Sequence, residues 1–143
     1  MIKRVYSCKE ADKCDELLTK LISDEVGGVC ALVDKFYRWG LRDSDKILLC
    51  SIENNMIVGY VYAKPQDSHF TGKSYLIDAL YVEQKFRGRG LGKELMQECI
   101  KEIHEMGVSQ IDVNVVSDND IAKSLYSGLG FETYRETMHL SVE

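Results

Sequence analysis

Proline is almost missing from this chain: Pro65 is the only one in 143 residues. There is no low-complexity tract, no internal repeat and no Pro/Gly/Ser-rich linker. A string of modules on flexible tethers is therefore not expected, and residues 1–143 read as a single domain, long enough for a real core. No apolar run approaches the ~20 residues that cross a bilayer, so no membrane association is expected. Met1-Ile2-Lys3-Arg4-Val5 lacks the long apolar region of a signal peptide. Histidine is scarce: His69, His104 and His139 are scattered, with none at ligand spacing from a carboxylate or cysteine. No metal site is expected. The five cysteines, Cys8, Cys14, Cys30, Cys50 and Cys99, are odd in number and form no CxxC pair. They read as reduced thiols of a cytoplasmic protein. An excess of positive charge is also lacking. The formal net charge is −5, which argues against nucleic acid as a partner.

What remains is ordinary in bulk and uneven in detail. The chain is 45% hydrophobic and 29% charged, as soluble globular domains are. Lys85, Arg87, Arg89 and Lys93 gather around one glycine-rich turn. Asp12, Asp15, Glu16, Asp24, Glu25 and Asp34 lie in the N-terminal quarter. A basic pocket and an acidic front end suit an anionic cofactor and a cationic second substrate. Solvated helix faces are the favoured account of the acidic group.

Hydrophobic spacing divides the chain into alternating elements. Ile2 to Tyr6 reads as a strand, and Ser7-Cys8-Lys9-Glu10 as a capping box. Leu17, Leu18, Leu21 and Ile22 give one helical face; Val29, Leu32, Val33, Phe36 and Tyr37 give a second. Ile47–Ile52 and Ile57–Ala63 form a hairpin around Glu53-Asn54-Asn55. A polar loop from Asp67 to Lys73 precedes a third long strand, Leu76–Val82. A helix over Leu91–Met106 carries the stripe Leu91, Leu95, Cys99, Ile103. Ile111–Val116 is the next strand. Ser117-Asp118-Asn119-Asp120 starts a short helix with Ala122, Leu125, Tyr126 and Leu129 on one side. Two closing strands are expected, Phe131–Arg135 and Thr137–Val142. The order β-α-α-β-β-β-α-β-α-β-β describes an α/β domain on a mixed sheet.

The richest stretch is Arg87-Gly88-Arg89-Gly90-Leu91-Gly92, between a strand and a helix. Such a turn can cradle phosphate with backbone N–H groups and a helix N-terminus. A nucleotide P-loop would need Gly-Lys-Ser/Thr, but Lys93-Glu94 follows Gly92. A dinucleotide fingerprint would need GxGxxG, and the third glycine comes one residue early. The remaining reading is a pyrophosphate held by consecutive amides without a metal.

A second element sharpens this. Arg87-x-x-Gly90-x-Gly92 after Leu80-Tyr81-Val82, followed by Asn119, Ala122, Tyr126 and Gly130-Phe131, resembles the GNAT superfamily of N-acetyltransferases. Its members use acetyl-CoA (coenzyme A). The resemblance is specific from about Ile77 to Phe131 and generic over residues 1–45. It implies a strongly twisted mixed sheet whose middle strands splay apart, with pantetheine in the gap. The amides of Arg87, Gly88, Arg89, Gly90, Leu91, Gly92 and Lys93 would hold the pyrophosphate. The side chains of Arg87, Arg89 and Lys93 either reach phosphates or point to solvent. The backbone of Leu80, Tyr81 and Val82 would take the pantetheine arm, and Asn119 and Ala122 would line the cofactor's end of the second helix.

By the same resemblance Tyr126 protonates the departing thiolate, a phenol of pKa about 10 being matched to a thiol. Its alternative is a buried tyrosine with a satisfied hydroxyl. Asp78, in strand phase with Leu76, Leu80 and Val82, is the candidate base, directly or through water; a hydrogen-bonded strand carboxylate is the alternative. Glu83 follows at the turn. Trp39, Phe36, Tyr37 and Arg38 stand where the family walls its acceptor site. Asn114 stands where enzymes that acetylate protein N-termini carry a glutamate. The expected acceptor is a small cationic primary amine: a polyamine, an amino sugar or aminoglycoside, or an amino-acid derivative. Acetylation of a protein N-terminus or lysine, and a noncatalytic CoA-binding module, are the other readings. A homodimer is expected from the same resemblance.

Overall fold

The computed structural model describes residues 2–4, 45–54, 56–68 and 72–143. The two helical stripes expected before residue 40, the acidic N-terminal quarter and the group from Phe36 to Trp39 lie outside the described residues. The described elements are strands β1 (Ile2–Arg4), β2 (Ile47–Glu53), β3 (Met56–Ser68), β4 (Gly72–Val82) and β5 (Ile111–Val113), and helices α1 (Leu91–Glu105) and α2 (Asp120–Gly128). A short 3-10 turn, Gln84–Phe86, links β4 to the glycine-rich turn.

The strands form one sheet in the order β1-β2-β3-β4-β5. The first three pairings are antiparallel and β4 pairs with β5 in parallel, so the sheet is mixed and the domain α/β, as expected. The β2–β3 hairpin turns at Asn54, whose φ of 50° is tolerated better by Asn than by most residues. The hairpin between β3 and β4 is longer than its alternation suggested. Residues expected to form a polar loop continue both strands, with Gln66↔Ser74, Asp67↔Lys73 and Ser68↔Gly72 in register. Pro65 fits within β3 because pairing with β2 has already ended at Ile47↔Ala63. Beyond that point no described strand pairs with that edge of β3, and a missing N–H there costs no described ladder bond.

One face of the sheet packs on α1. Ile47, Leu49, Val61, Ala63, Tyr75 and Ile77 meet Leu95, Met96, Cys99 and Ile103, all buried. Leu95, Cys99 and Ile103 belong to the apolar stripe read from the sequence, and Met96 widens it. Burying each large side chain is worth ~1.5–3 kcal/mol. Tyr126 of α2 joins the same cluster, flanked by Leu125, Leu129 and Phe131.

Three expected strands are corrected. β5 stops at Val113 rather than Val116, and Val116 is 69% exposed. No strand forms over residues 131–143, where Met138, Leu140 and Val142 are exposed. Alternating apolar residues favour a strand only where a neighbouring strand and a buried face are available. Here neither is supplied by the described residues, and Tyr134 is tied instead to β5 through Asp112.

Candidate active site

The site begins where β4 loses a neighbour. β4 and β5 pair only at Tyr75↔Ile111, Leu76↔Asp112 and Ile77↔Val113. β4 then runs on to Val82 bonded to β3 alone, while Asn114, Val115 and Val116 are exposed and outside any strand. Two parallel strands thus part after Ile77 and Val113, as the resemblance implied.

A bulge lies at the parting. Tyr62 pairs with Ala79 and Ala63 with Ile77, so Asp78 is an extra residue in β4. The expected phase of Asp78 with Leu76, Leu80 and Val82 is therefore wrong. An added residue switches the faces of everything beyond it. Ile77 faces α1, and so do Leu80 and Val82 after the bulge; Leu76 faces the other way. The Asp78 carboxylate lies 3.6 Å from Lys64 Nζ, both side chains being partly exposed. It also acts on Tyr62, whose hydroxyl is pushed above its ordinary pKa by burial first and by the Asp78 and Asp45 charges next.

The edge that β4 turns toward the gap can be read from the ladder. Glu83 N–H donates to Val58 O at 2.7 Å, so Glu83 faces β3. Alternation of backbone groups along a strand then points the N–H and C=O of Val82, and of Leu80, away from β3 and into the gap. Tyr81 faces the sheet surface away from α1, where its ring stacks on Tyr60 at 6.2 Å. Burial, followed by the neighbouring Tyr81 and Cys50, pushes the Tyr60 hydroxyl up to about 12.

Next to the gap, the glycine-rich turn opens into α1. Gly88 (φ 80°) and Gly90 (φ 82°) are both left-handed, a conformation that side-chain-bearing residues avoid. Gly90 is the residue before the helix and gives it no side-chain cap. The first amide bonded back to it is that of Glu94, to Gly90 O at 3.0 Å. The N–H groups of Leu91, Gly92 and Lys93 thus project from the start of a 15-residue helix. Free amides, the positive end of the helix dipole and no competing cap fit a pyrophosphate. Gly92 serves a different end. A Cβ there would sit 3.7 Å from Leu125 Cδ2 and 3.8 Å from Val82 Cγ2, so it lies at the junction of α1, α2 and β4.

The basic side chains of the turn are less free than their spacing suggested. Arg87 Nε donates to Val82 O at 2.8 Å, and its guanidinium carbon lies 5.4 Å from the centre of the Tyr81 ring. Arg89 lies over Phe86 at 5.2 Å. Lys93 is exposed on the first turn of α1.

In α2, Asn119 Oδ1 accepts from Ala122 N at 3.1 Å, so Asn119 caps the helix and Ala122 packs partly buried against the core. Both hold α2 in place, and Tyr126 lies one turn on. Its ring is buried and meets Phe131 edge-on at 5.9 Å. Burial pushes its hydroxyl above 10, which keeps the phenol protonated at neutral pH. Tyr126 also lines an open cavity of about 600 Å³ along β5, α2 and residues 129–135. Neither Asp78 nor the glycine turn reaches that cavity. Tyr126 stands on the α1 side of the sheet, and Asp78 beside Lys64 and Tyr62.

Three features were missed in the sequence. Tyr60 and Tyr62 are buried on the sheet side away from α1, with Tyr81 stacked on Tyr60, announced by the two tyrosines spaced two apart in β3. Asp112 is a buried carboxylate that accepts from Gln66 Nε2 at 2.7 Å and Tyr134 Oη at 2.8 Å. Its signal was a charge alternating with Ile111 and Val113. The bond from Arg87 to Val82 had no sequence signal.

Comparison with known proteins agrees with this geometry. The model of the acetyltransferase (GNAT) family matches residues 15–131. N-alpha-acetyltransferase 30 of Schizosaccharomyces pombe is 27% identical over 118 residues, covering 75% of this chain and 77% of that protein. A mycothiol acetyltransferase of Renibacterium salmoninarum is 32% identical over 102 residues; the match covers 68% of this chain but spans only 29% of that protein. Among solved structures, the aminoglycoside N-acetyltransferase AAC(6')-Iy, in complex with CoA, superposes with a TM-score of 0.72 at 16% identity, covering 100% of this chain and 99% of that one.

Proposed function

The chain belongs to the GNAT acetyltransferase family, and on that premise we propose that it carries an acetyl group from acetyl-CoA to a primary amine, the favoured acceptor being small and cationic. The observation that carries this reading is the parting of β4 from β5 directly beside the uncapped start of α1. One feature offers a slot for an extended arm, and the other offers amides for the phosphates at its end.

Acetyl-CoA, when bound, supplies the thioester that the amine attacks. The amides of Leu91, Gly92 and Lys93 bind its pyrophosphate. The gap-facing backbone of Leu80 and Val82 aligns the pantetheine arm, and an N–H there polarises the acetyl carbonyl. Asp78 receives the proton that the amine must shed, directly or through water, from the face it shares with Lys64 and Tyr62. Tyr126 approaches from the α1 side and gives its proton to the departing sulfur. Acid and base on opposite faces of the sheet suit a direct transfer through the gap. A cationic acceptor is supported by Asp78, a partly exposed carboxylate.

A second reading is supported by the N-alpha-acetyltransferase relative: the acceptor is the N-terminus of a protein. Asn114, exposed just past β5, cannot serve as a base, so that reading would also rely on Asp78. We place the enzyme in the cytoplasm and expect a homodimer, which light scattering would check.

The test is release of free CoA thiol from acetyl-CoA, measured over a panel of polyamines, amino sugars and N-terminal peptides. Turnover on the amines and not the peptides is expected. Turnover on peptides alone would select the second reading, and tight CoA binding with no turnover would favour a noncatalytic module.

A further inference from the structure

We propose that Arg87 is a positioning residue that holds the end of β4, not a cation that grips the donor's phosphates. The inference rests on the reading above, in which the backbone of Leu80 and Val82 receives the pantetheine arm.

The Val82 carbonyl faces the gap, where β5 no longer supplies a donor. Tyr75 to Ile77 have that neighbour; Val82 has the Arg87 side chain instead, Nε to O at 2.8 Å. Arg87 thus satisfies an acceptor that the parting of the strands exposes. It also fixes the last residue of β4 five positions back along the chain, across the 3-10 turn, and so sets the distance between the strand end and the amides of α1. Its guanidinium is drawn over Tyr81 at 5.4 Å, and Tyr81 is itself stacked on the buried Tyr60. Both contacts occupy the head group on β4. The Val82 carbonyl thus already has a donor, while the Val82 N–H and both backbone groups of Leu80 face the gap for the pantetheine arm.

Side-chain chemistry separates the two roles. Gln Nε2 stands the same number of bonds from Cα as Arg Nε, so Arg87→Gln can keep the bond to Val82 while losing the charge. Lys keeps the charge but has a methylene at that position. The Arg87→Gln enzyme is expected to hold its KM for acetyl-CoA within about threefold, with an unaltered salt dependence. Arg87→Lys should raise that KM by about tenfold with a smaller change in kcat, the scale of one lost charge-assisted hydrogen bond. The reverse pattern, in which Lys restores binding and Gln flattens the salt dependence, would make Arg87 a phosphate ligand and overturn the proposal. Equal behaviour of the two variants, whether both intact or both impaired, would overturn it as well. Thermal melts accompany each measurement. Amide hydrogen exchange at Glu83, whose N–H bonds to Val58 O, gives a readout that needs no CoA: protection kept in Arg87→Gln and lost in Arg87→Met supports the proposal, and equal protection in both overturns it. If the wild-type protein binds no CoA, the reading of the site fails, while the exchange comparison still decides what Arg87 does.

Discussion

The two halves of β4 are built from one strand and do opposite work. From Tyr75 to Ile77 its backbone is bonded on both edges and its buried side chains join the core. From Ala79 to Val82 it is bonded on one edge only, its side chains are half-buried, and its free edge faces the gap. The first half holds the sheet together, and the second is left open to something else. A single extra residue, Asp78, stands between them. The comparison shows how a gap between parallel strands can be made without a dedicated loop: the pairing simply stops, and a bulge keeps the apolar residues beyond it on the core face.

Removing the divider should have the largest effect on the gap. Deletion of Asp78 would return β4 to strict alternation, with Ala79 directly after Ile77 and with Leu80 and Val82 still facing α1. The core faces are kept, so stability should change by less than ~1.5 kcal/mol, while CoA affinity should fall at least about tenfold as the extra local twist at the parting of β4 from β5 is lost. Chemical denaturation and a CoA titration would check both, and unchanged binding would end the idea that the bulge shapes the slot.

Ile77→Ala strikes the paired half alone. The side chain is 2% exposed, and truncation should cost ~2–5 kcal/mol of stability. The KM for acetyl-CoA of the protein that remains folded should hardly move. A large rise in KM would show that the halves are not separable.

On the open side, Tyr126→Phe should lose at least about tenfold in turnover while CoA affinity stays as it was. The pH profile gives the sign. Tyr126 must be protonated to donate, and burial raises its pKa above 10. Activity dependent on it should therefore persist below pH 10 and fall only as pH rises beyond, through the raised value. A kcat limb below pH 10 that disappears in Tyr126→Phe would contradict this.

The smallest effects distinguish two glycines. Gly90→Ala forces a side chain into φ 82° and should cost ~1–3 kcal/mol, with weaker CoA binding. Gly92→Ala meets only ordinary contacts with Leu125 and Val82 and should change stability by less than ~0.5 kcal/mol. Equal tolerance at both sites would remove the conformational argument for the turn.

Much of this was legible before the structure. The stripe from Leu91 to Ile103 and the cap at Asn119 are local chemistry, and local chemistry is written in neighbouring residues. The glycine turn and the Asn119-to-Tyr126 helix were legible as local elements as well. The bulge was not legible, because a period-two pattern assumes no extra residue and Asp78 fits that pattern by coincidence. The end of β5 was not legible either: Val115 and Val116 continue an alternation that pairing abandons. The same holds from Phe131 to Val142, where β-forming residues are strands only if a neighbour accepts them. Arg87 illustrates a further limit. A cation beside a glycine turn suggests an anion, and only coordinates reveal that its nearest acceptor is its own backbone.

The bare start of α1 has one more consequence. A helix normally closes its first turn with its own cap, and here Gly90 supplies no side chain for that. A ligand whose phosphates bond those amides would finish the helix from outside. Occupancy and folding are then linked equilibria, and the apo protein should melt below the loaded one. At a free ligand concentration a hundred times Kd, the gain is ~2.7 kcal/mol. A thermal-shift titration with CoA and with its fragments would therefore report on this helix end, and would rank donors before any acceptor is known.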